Sequence, residues 1–521
     1  MKIFKGPILT CDRHGTVLSY LVEHEGRIVY TGDTLPDRYP DTDIIDLGQK
    51  ALIPAFGDSH LHFLSYALFS ATLDVRDAED FDGLSDLLSN YIRDTGAKVV
   101  LGFGISAHHV HEKRMITLPE LDRIENKRPV MLVKYDGHAA VMNTAMRQML
   151  PPKIKKLRGY NAQTGLLYQE AFFMAADHLT SKMSVISLIK QMLSAVDAMA
   201  SKGIGLIHPA EGVGFPLDLD VDLVRFLARG LSNPFNVRPF FQTMDIKKVK
   251  KRKLPRVGGC FATALDGCFG SVDAALKAPY KNAPDNKGIL FYSDAQVTDF
   301  VCKAHDNGLQ VQMHAIGDAA FDQAVNAIVA AIKSNYRTDC RHGIIHGSLA
   351  TAEGLDKCAE YNIGIAAQPG LLDLNLEPFS YLNEILGARA YDISPFRRMV
   401  DMGIHVSGGS DAPVTSPDPI SAIHAACNHF NPSQSVTVME ALKMFTYEPA
   451  RASFDEKDRG SLETGKLADM VVLDRNPLDM KAEEIRSLTT ETLYLAGTPY
   501  KKGQTLPNLL WRALFKRSAG E

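Results

Sequence analysis

The chain has 521 residues, of which 45% are hydrophobic and 23% charged, a composition that excludes disorder on a large scale. Its 57 Lys and Arg residues against 61 Asp and Glu residues give a formal net charge of −4, so no strong field attracts nucleic acid or an anionic membrane. No window approaches the roughly 18 consecutive apolar residues that a bilayer span requires. These patterns predict a small-molecule substrate, with neither nucleic acid nor membrane as a partner.

Seven cysteines are scattered along the chain without a C-x-x-C pair, which argues against a disulfide framework and against a zinc ribbon. The N-terminal segment has a lysine within its short apolar stretch and no small-residue cleavage site. We therefore expect a cytoplasmic protein.

Short alternating segments at residues 17–22, 27–30 and 42–47, separated by turn residues, predict a small β unit at the start of the chain. From about residue 51 to 415, short apolar runs alternate with longer segments of helical period such as 184–200 and 319–332. This alternation predicts an α/β fold with a parallel sheet.

The apolar runs are eight in number, which is the number of strands that closes a (β/α)8 TIM barrel. They occupy residues 51–62, 203–210, 237–243, 259–265, 309–316, 343–347, 363–369 and 404–410.

The segment of about 74–175 is far longer than one crossover helix, so we expect an insertion after barrel strand 1, with its own strands at 99–104 and 130–135. The tail returns to β character at 469–473 and 492–496. Both ends of the chain are therefore expected to pair into one small sheet.

His60 and His62 close the first run. Positions i and i+2 of a strand face the same side, so both imidazoles can converge at the carboxyl end of the strand, where barrel active sites lie. An H-x-H pair alone is weak evidence, because strand histidines often bond only to backbone. Later runs close on His314, His346 and Asp411 at the same rim. Imidazoles and a carboxylate form the ligand set of Zn²⁺ or a similar divalent ion.

At this point the chain resembles the amidohydrolase superfamily, in its amidohydrolase-3 or YtcJ-like branch, which includes N-substituted formamide deformylases. The resemblance covers nearly the whole chain. It is carried by the H-x-H motif, Asp136-Gly137-His138 with Asn143 and Ala145, Thr164-Gly165-Leu166-Leu167 before Glu170, His314-Ala315-Ile316-Gly317-Asp318, His346, Gln368-Pro369, Gly409-Ser410-Asp411-Ala412-Pro413 and Gly465-Lys466-Leu467-Ala468-Asp469.

The resemblance implies a metal-dependent barrel at 55–454, and a small β-sandwich domain built from both termini at 1–54 and 455–521. Its relatives often carry a lysine four positions before Asp266-Gly267 that bridges two metals when carbamylated, and the matching residue here is Ala262. We therefore expect one divalent ion, with Zn²⁺ as the expected metal, unless Glu170 replaces the lysine.

The predicted reaction is hydrolysis of a C–N bond in an amide or an N-substituted formamide. Asp411 is the expected proton shuttle. His346 is either a ligand or a hydrogen-bond donor to the oxyanion. From the insertion, His138 is a candidate substrate or oxyanion contact, against a role in structuring its loop. Glu170 is a candidate ligand or base, against a helix N-terminal carboxylate.

Two other functions remain open on the sequence. One is deamination of a heterocycle, although such deaminases usually carry a glutamate shortly after the fifth-strand histidine, where this chain has Gly317-Asp318. The other is a barrel scaffold that has lost its metal. The mixed apolar and basic segment at 509–516 also leaves a homodimer open.

Overall fold

A parallel barrel forms the centre of the computed structural model, which describes residues 1–39, 44–373 and 375–515. Each of the eight predicted runs contributes one barrel strand, and each strand pairs in parallel with the next. The third is interrupted at Pro239, which has no N–H for the ladder. In order, the barrel strands are Phe56–Leu61, Ile204–Glu211, Asn236–Val237 with Phe240–Phe241, Arg256–Ala264, Gln310–Ala315, Gly343–His346, Gly364–Ala367 and Val406–Gly408.

Hydrogen bonds at the carboxyl ends join the eighth barrel strand to the first. The backbone N–H of Asp411 donates to the carbonyl of His60 over 2.8 Å. Buried Asp58 accepts hydrogen bonds from the N–H and the hydroxyl of Ser410, at 3.0 and 2.6 Å. A Cβ at Gly409 would lie 2.6 Å from the backbone nitrogen of His60, so only glycine allows this approach. The closure places Asp411 beside the H-x-H motif.

The barrel helices lie outside the strands. Asp318–Ser334 shows why they pack there, since Phe321, Val325 and Ile328 follow one another at helical spacing and are fully buried. The helices of the barrel and the tail are Phe63–Phe69, Val185–Ser201, Leu219–Gly230, Ile246–Lys251, Asp294–Asp306, Asp318–Ser334, Ala352–Glu360, Phe379–Leu386, Phe396–Asp401, Pro419–Cys427, Val438–Met444, Tyr447–Ala452 and Leu506–Phe515.

Among the residues described, no single helix is long and apolar enough to cross a bilayer. One pair of helices, Glu170–Thr180 and Val185–Ser201, is bent by 104° at the break between them, and together the two meet the length and composition of a membrane span but no other criterion.

The insertion between the first two barrel strands forms a five-stranded sheet with helices on both faces. The sheet carries a buried apolar cluster on either side. Its strands, in spatial order, are Leu166–Tyr168, Ala139–Met142, Val130–Lys134, Val100–Ile105 and Leu73–Asp74. Its helices are Phe81–Asp94, Leu118–Ile124, Thr144–Met149 and Gln169–Thr180.

Strands from both ends of the chain share one eight-stranded sheet. Its order is Thr498–Pro499, Thr490–Leu495, Met470–Leu473, Ala51–Pro54, Lys2–Leu9, Val17–His24 and Arg27–Gly32, with Ile44–Asp46 beside Lys2–Leu9. The predicted start of the third segment, Thr42 and Asp43, lies outside the described residues. Lys2–Leu9 escaped sequence analysis because Gly6-Pro7 is typical of a turn, whereas here it lies at an irregularity between two paired stretches of one strand.

Candidate metal centre

His60 and His62 point to the same place, as their i, i+2 spacing on a strand predicts. Their Nε2 atoms lie 3.2 and 3.4 Å from Oδ1 of Asp411. Nδ1 of His62 lies 3.2 Å from the carbonyl of Ala210, to which it donates its proton. Its Nε2 therefore presents a lone pair to the centre.

Asp411 faces the two imidazoles from the turn after the eighth barrel strand. It has a φ of 55°, in the left-handed region that a non-glycine residue rarely occupies. Its buried Oδ1 has no hydrogen-bond donor within the described chain. A charged oxygen left in this state is suited to a cation.

His346 and His314 complete the rim from the sixth and fifth barrel strands, with ring centroids 4.6 Å apart. Nδ1 of His346 lies 2.6 Å from Oε1 of Gln368, whose amide nitrogen donates to Ala366. The amide must therefore present its oxygen to His346, so Nδ1 is protonated and Nε2 carries a lone pair. His346 also has a positive φ, 69°.

Asp266 lies behind the imidazole of His314, with its Oδ1 3.3 Å from Nδ1 of His314 but outside hydrogen-bond geometry. Asp266 is in turn fixed by the backbone N–H groups of Ile316 and Gly317, at 3.1 and 2.8 Å. A carboxylate behind a ligating histidine is a common arrangement in metal sites.

Cys260 is the residue that sequence analysis missed. Its Sγ lies 2.9 Å from Nε2 of His60 and 3.5 Å from Nε2 of His346. The thiol, His60, His62 and Asp411 form one buried group whose ligand atoms all lie within 4.8 Å of one another. The prediction that Ala262 occupies this part of the site is wrong. Ala262 is only half-buried, and its carbonyl accepts a hydrogen bond from Tyr292.

A bulge in the fourth barrel strand explains the error. Gly259 pairs with Met313 and Ala264 with His314, so four extra residues stand opposite one step of the neighbouring strand. Counting four positions back from Asp266 assumes a regular strand. Because of the bulge, the residue that faces the barrel interior is Cys260, two positions before Ala262.

Gln242 holds the bulge in place from the third barrel strand. Its Oε1 accepts the backbone N–H groups of Cys260 and Phe261, at 2.8 and 3.0 Å. Gly259 has a φ of 151°, and a Cβ there would collide with the side chain of Gln242. Gly259 and Gln242 together therefore fix the position of the Cys260 thiol.

These donors fit a divalent cation. Burial lowers the pKa of His60 and lowers the pKa of His314 to about 3. Burial and the neighbouring His314 hold the pKa of His346 well below its ordinary value. These three imidazoles are therefore neutral. The tautomers of His62 and His346 point unprotonated nitrogens at an anionic oxygen that has no donor of its own. Lone pairs facing a carboxylate require a positive charge between them.

A cavity opens onto this centre. His138 lines it, half-buried, with its ring 5.2 Å from that of Phe261. The N–H of His138 donates to Asp136 over 3.1 Å. Asp136 pairs with buried Lys134 at 2.7 Å, and Lys134 also donates to the carbonyl of Gly270 in the loop after the fourth barrel strand. The insertion thus presents His138 to the cavity on a braced loop.

Glu170 does not reach the site. It lies exposed in the first turn of the helix Gln169–Thr180, and it is not among the residues that line the cavity. The expectation of a ligand or base at this position is therefore wrong. An acidic residue there interacts favourably with the helix N-terminus, which accounts for the residue type.

A second buried histidine and cysteine group lies elsewhere, at His305, Cys340 and His342. Its imidazole nitrogens are already engaged: His305 contacts His342 at 2.8 Å and the carbonyl of Asn335 at 2.5 Å, and His342 accepts the N–H of Val311. This group is a satisfied structural cluster.

Comparison with known proteins agrees with this architecture. A family model described as the amidohydrolase family matches residues 43–500. The chain is 26% identical to an amidohydrolase named YtcJ from Bacillus subtilis (strain 168), over 94% of this chain and 97% of the relative. It is 24% identical to the N-substituted formamide deformylase of Arthrobacter pascens, over 95% of this chain and 97% of that relative. Among solved structures, an uncharacterized metal-dependent hydrolase from Pyrococcus furiosus has a TM-score of 0.72 at 25% identity, over 92% of this chain and 99% of that one.

Proposed function

The chain belongs to the amidohydrolase family, and from this premise we propose that it hydrolyses a C–N bond of an amide or N-substituted formamide at a divalent ion, Zn²⁺. His60, His62 and Asp411 would hold this ion. The observation that carries the proposal is the unpartnered Oδ1 of Asp411 facing Nε2 of both histidines at the mouth of a cavity. Bound there, the ion would lower the pKa of a water to about 7 and polarise the substrate carbonyl.

Asp411 is the residue that moves the proton. Its carboxylate lines the cavity, and a divalent ion beside it would keep it ionised. It can accept a proton from the attacking water and return it to the leaving nitrogen. The products are then a carboxylate, or formate from a formamide, and an amine.

His346 is proposed as a further metal ligand beside these three residues, and not as a donor to the oxyanion. Donation from Nε2 would require the imidazolium, because Nδ1 already holds the proton that bonds to Gln368. Burial opposes the imidazolium by lowering the pKa of His346. His138, which lines the same cavity from the insertion, takes the role of substrate contact.

The shape of the cavity supports a substrate with an apolar substituent. A second space adjoins the first, and both are lined by His62, Asp136, Phe261 and Val414. The wall of the second space is mainly apolar, and the insertion supplies much of it. Its apolar lining residues include Leu68, Phe69, Phe103, Val133, Phe172, Phe173, Ala176, Phe215 and Pro413. We infer that the scissile bond lies against the metal centre and the apolar substituent in this second space.

We also propose a cytoplasmic location and a small-molecule substrate. Each of the seven cysteines is free, as a reducing compartment favours.

The test measures metal content and hydrolysis on one preparation. Purified protein is assayed on a panel of formamides and N-acyl amines for release of amine and of formate or carboxylate. We expect turnover that a chelator abolishes and added Zn²⁺ restores. Protein that holds metal, leaves every amide and formamide intact and releases ammonia from amino-substituted heterocycles would instead be a deaminase, while protein that binds no metal would be a scaffold.

A further inference from the structure

The metal centre has more donors than one catalytic ion uses. A single catalytic zinc site typically takes three protein ligands and leaves a fourth position for water. Six side chains converge here, and they fall into two sets. His60, His62 and Asp411 surround one point, while His314 and His346 face each other at 4.6 Å between ring centroids.

The sixth side chain, Cys260, lies between the two sets. Its Sγ is in contact with one nitrogen from each, Nε2 of His60 at 2.9 Å and Nε2 of His346 at 3.5 Å. The residue is 4% exposed. Because sulfur can donate to two metal ions at once, its place is that of a bridge.

Packing alone does not account for this cysteine. A buried thiol in a protein core usually behaves as a small apolar group. Here the immediate polar neighbours are imidazole nitrogens and the charged Asp411, whose Oδ1 is buried without a donor. The bulge with Gly259, and the two hydrogen bonds from Gln242, fix the thiol at this point.

We propose that the thiolate of Cys260 bridges two divalent ions, one held by His60, His62 and Asp411 and the other by His314 and His346. This inference rests on the proposed function, because it concerns the same ion site. It replaces the expectation of a single ion, whose basis was an alanine at the bridging position. The thiol must lose its proton to bind metal, so metal binding releases that proton to solvent.

Zinc X-ray absorption on the full-length protein tests the bridge without any substrate. We expect two ions per chain by elemental analysis, and a sulfur scatterer at about 2.3 Å beside nitrogen and oxygen scatterers at about 2.0 to 2.2 Å. In Cys260→Ser the sulfur signal should disappear and the zinc content should fall by about half.

Two matched variants show that the sulfur comes from Cys260. Cys268→Ser removes another thiol of the same cavity, one that lies 3.4 Å from Asp136 and is not part of the group that Cys260 forms with His60, His62 and Asp411. Cys340→Ser removes the thiol of the second histidine group. Both variants should keep two ions and the sulfur signal.

The outcomes separate this inference from the proposed function. Wild-type protein with no zinc–sulfur scatterer, or with one ion only, overturns the bridge even where amides are hydrolysed. Two sulfur-bound ions in a protein inert on every amide overturn the proposed reaction and leave the bridge standing. If Cys260→Ser does not fold, the wild-type spectrum and the number of ions per wild-type chain still decide whether a sulfur-bound pair of ions is present.

Discussion

Asp411 lies beside the histidine pair and also lines the cavity. A substitution at this residue can therefore remove proton transfer while leaving the metal bound. In Asp411→Asn the imidazoles remain and the amide oxygen can still approach the ion, so we expect much of the metal to stay. Turnover should fall by about 10² to 10⁴-fold, because an amide cannot accept and return a proton. Metal content and turnover are measured on the same samples. Wild-type turnover in a metal-loaded variant would remove Asp411 from the reaction.

His62 offers the opposite case. Its Nε2 faces the centre, and its loss would remove one of the three side chains proposed to hold the catalytic ion. We expect His62→Ala, and equally His60→Ala, to lose metal and activity together. Glu170→Gln is the control, since Glu170 is exposed and outside the cavity, and it should keep both. Loss of metal in that control would return Glu170 to the site.

Much of this residue pattern is readable from the sequence, because parallel strands present their carboxyl ends on one rim. His60, His62, His314, His346 and Asp411 all follow apolar runs, and the structure brings them together. Cys260 was not readable, since a bulge has no periodic signal and counting from Asp266 points to Ala262. Gly258-Gly259 before Cys260 was the available hint, because adjacent glycines within a strand are typical of a bulge.

At the scale of elements, a buried lysine that forms an ion pair within the insertion also bonds the insertion to the barrel. Lys134 and Asp136 are 6% and 8% exposed, and Lys134 also bonds to the loop after the fourth barrel strand. Lys134→Met would leave Asp136 charged and unpaired. We expect a loss of about 3 to 5 kcal/mol in the free energy of unfolding, measured with denaturant.

The pH dependence of that loss is a further check. Burial alone would raise the pKa of Asp136, but Lys134 and His138 lower it to about 2 in the folded protein. A lowered pKa contributes stability above the unfolded value of about 3.9, and this contribution is lost as pH falls toward 2. The difference between wild type and Lys134→Met should thus be largest near neutral pH and shrink below about pH 4. The double variant Lys134→Met/Asp136→Leu should recover much of the loss.

The helix Gln169–Thr180 lines the apolar space with Phe172, Phe173 and Ala176. Ala176→Phe should fill part of that space. We expect the KM of amides with a large apolar substituent to rise about tenfold or more, and that of N-methyl substrates to change little, because a lost methylene-sized contact alone is worth 10 to 200-fold. Ala176→Ser is the control of similar size. Equal effects on both substrate classes would place the substituent elsewhere.

For the whole molecule, the two chain ends depend on each other. Met470–Leu473 lies between Ala51–Pro54 and Thr490–Leu495, and its four residues are buried. Deleting residues 460–521 would remove Met470–Leu473 and Thr490–Leu495 and expose the buried strand Ala51–Pro54, so we expect insoluble protein. A stop after residue 502, which removes the helix Leu506–Phe515 and leaves the sheet intact, should give soluble protein of lower Tm. A soluble, cooperatively folded 1–459 fragment would contradict the shared sheet as a requirement for folding.

The pairing of Ala51–Pro54 with Met470–Leu473 also bears on how the protein is made. The strand that leads directly into His60 and His62 leaves the ribosome early, whereas its sheet partner is translated roughly 400 residues later, about 20 to 80 s at usual elongation rates. During that interval the nascent chain carries an apolar strand next to its histidine pair that can pair with Lys2–Leu9 on one edge and is unpaired on the other. Chaperones that shield hydrophobic segments should therefore associate with this chain during synthesis, and the metal centre should form only after release.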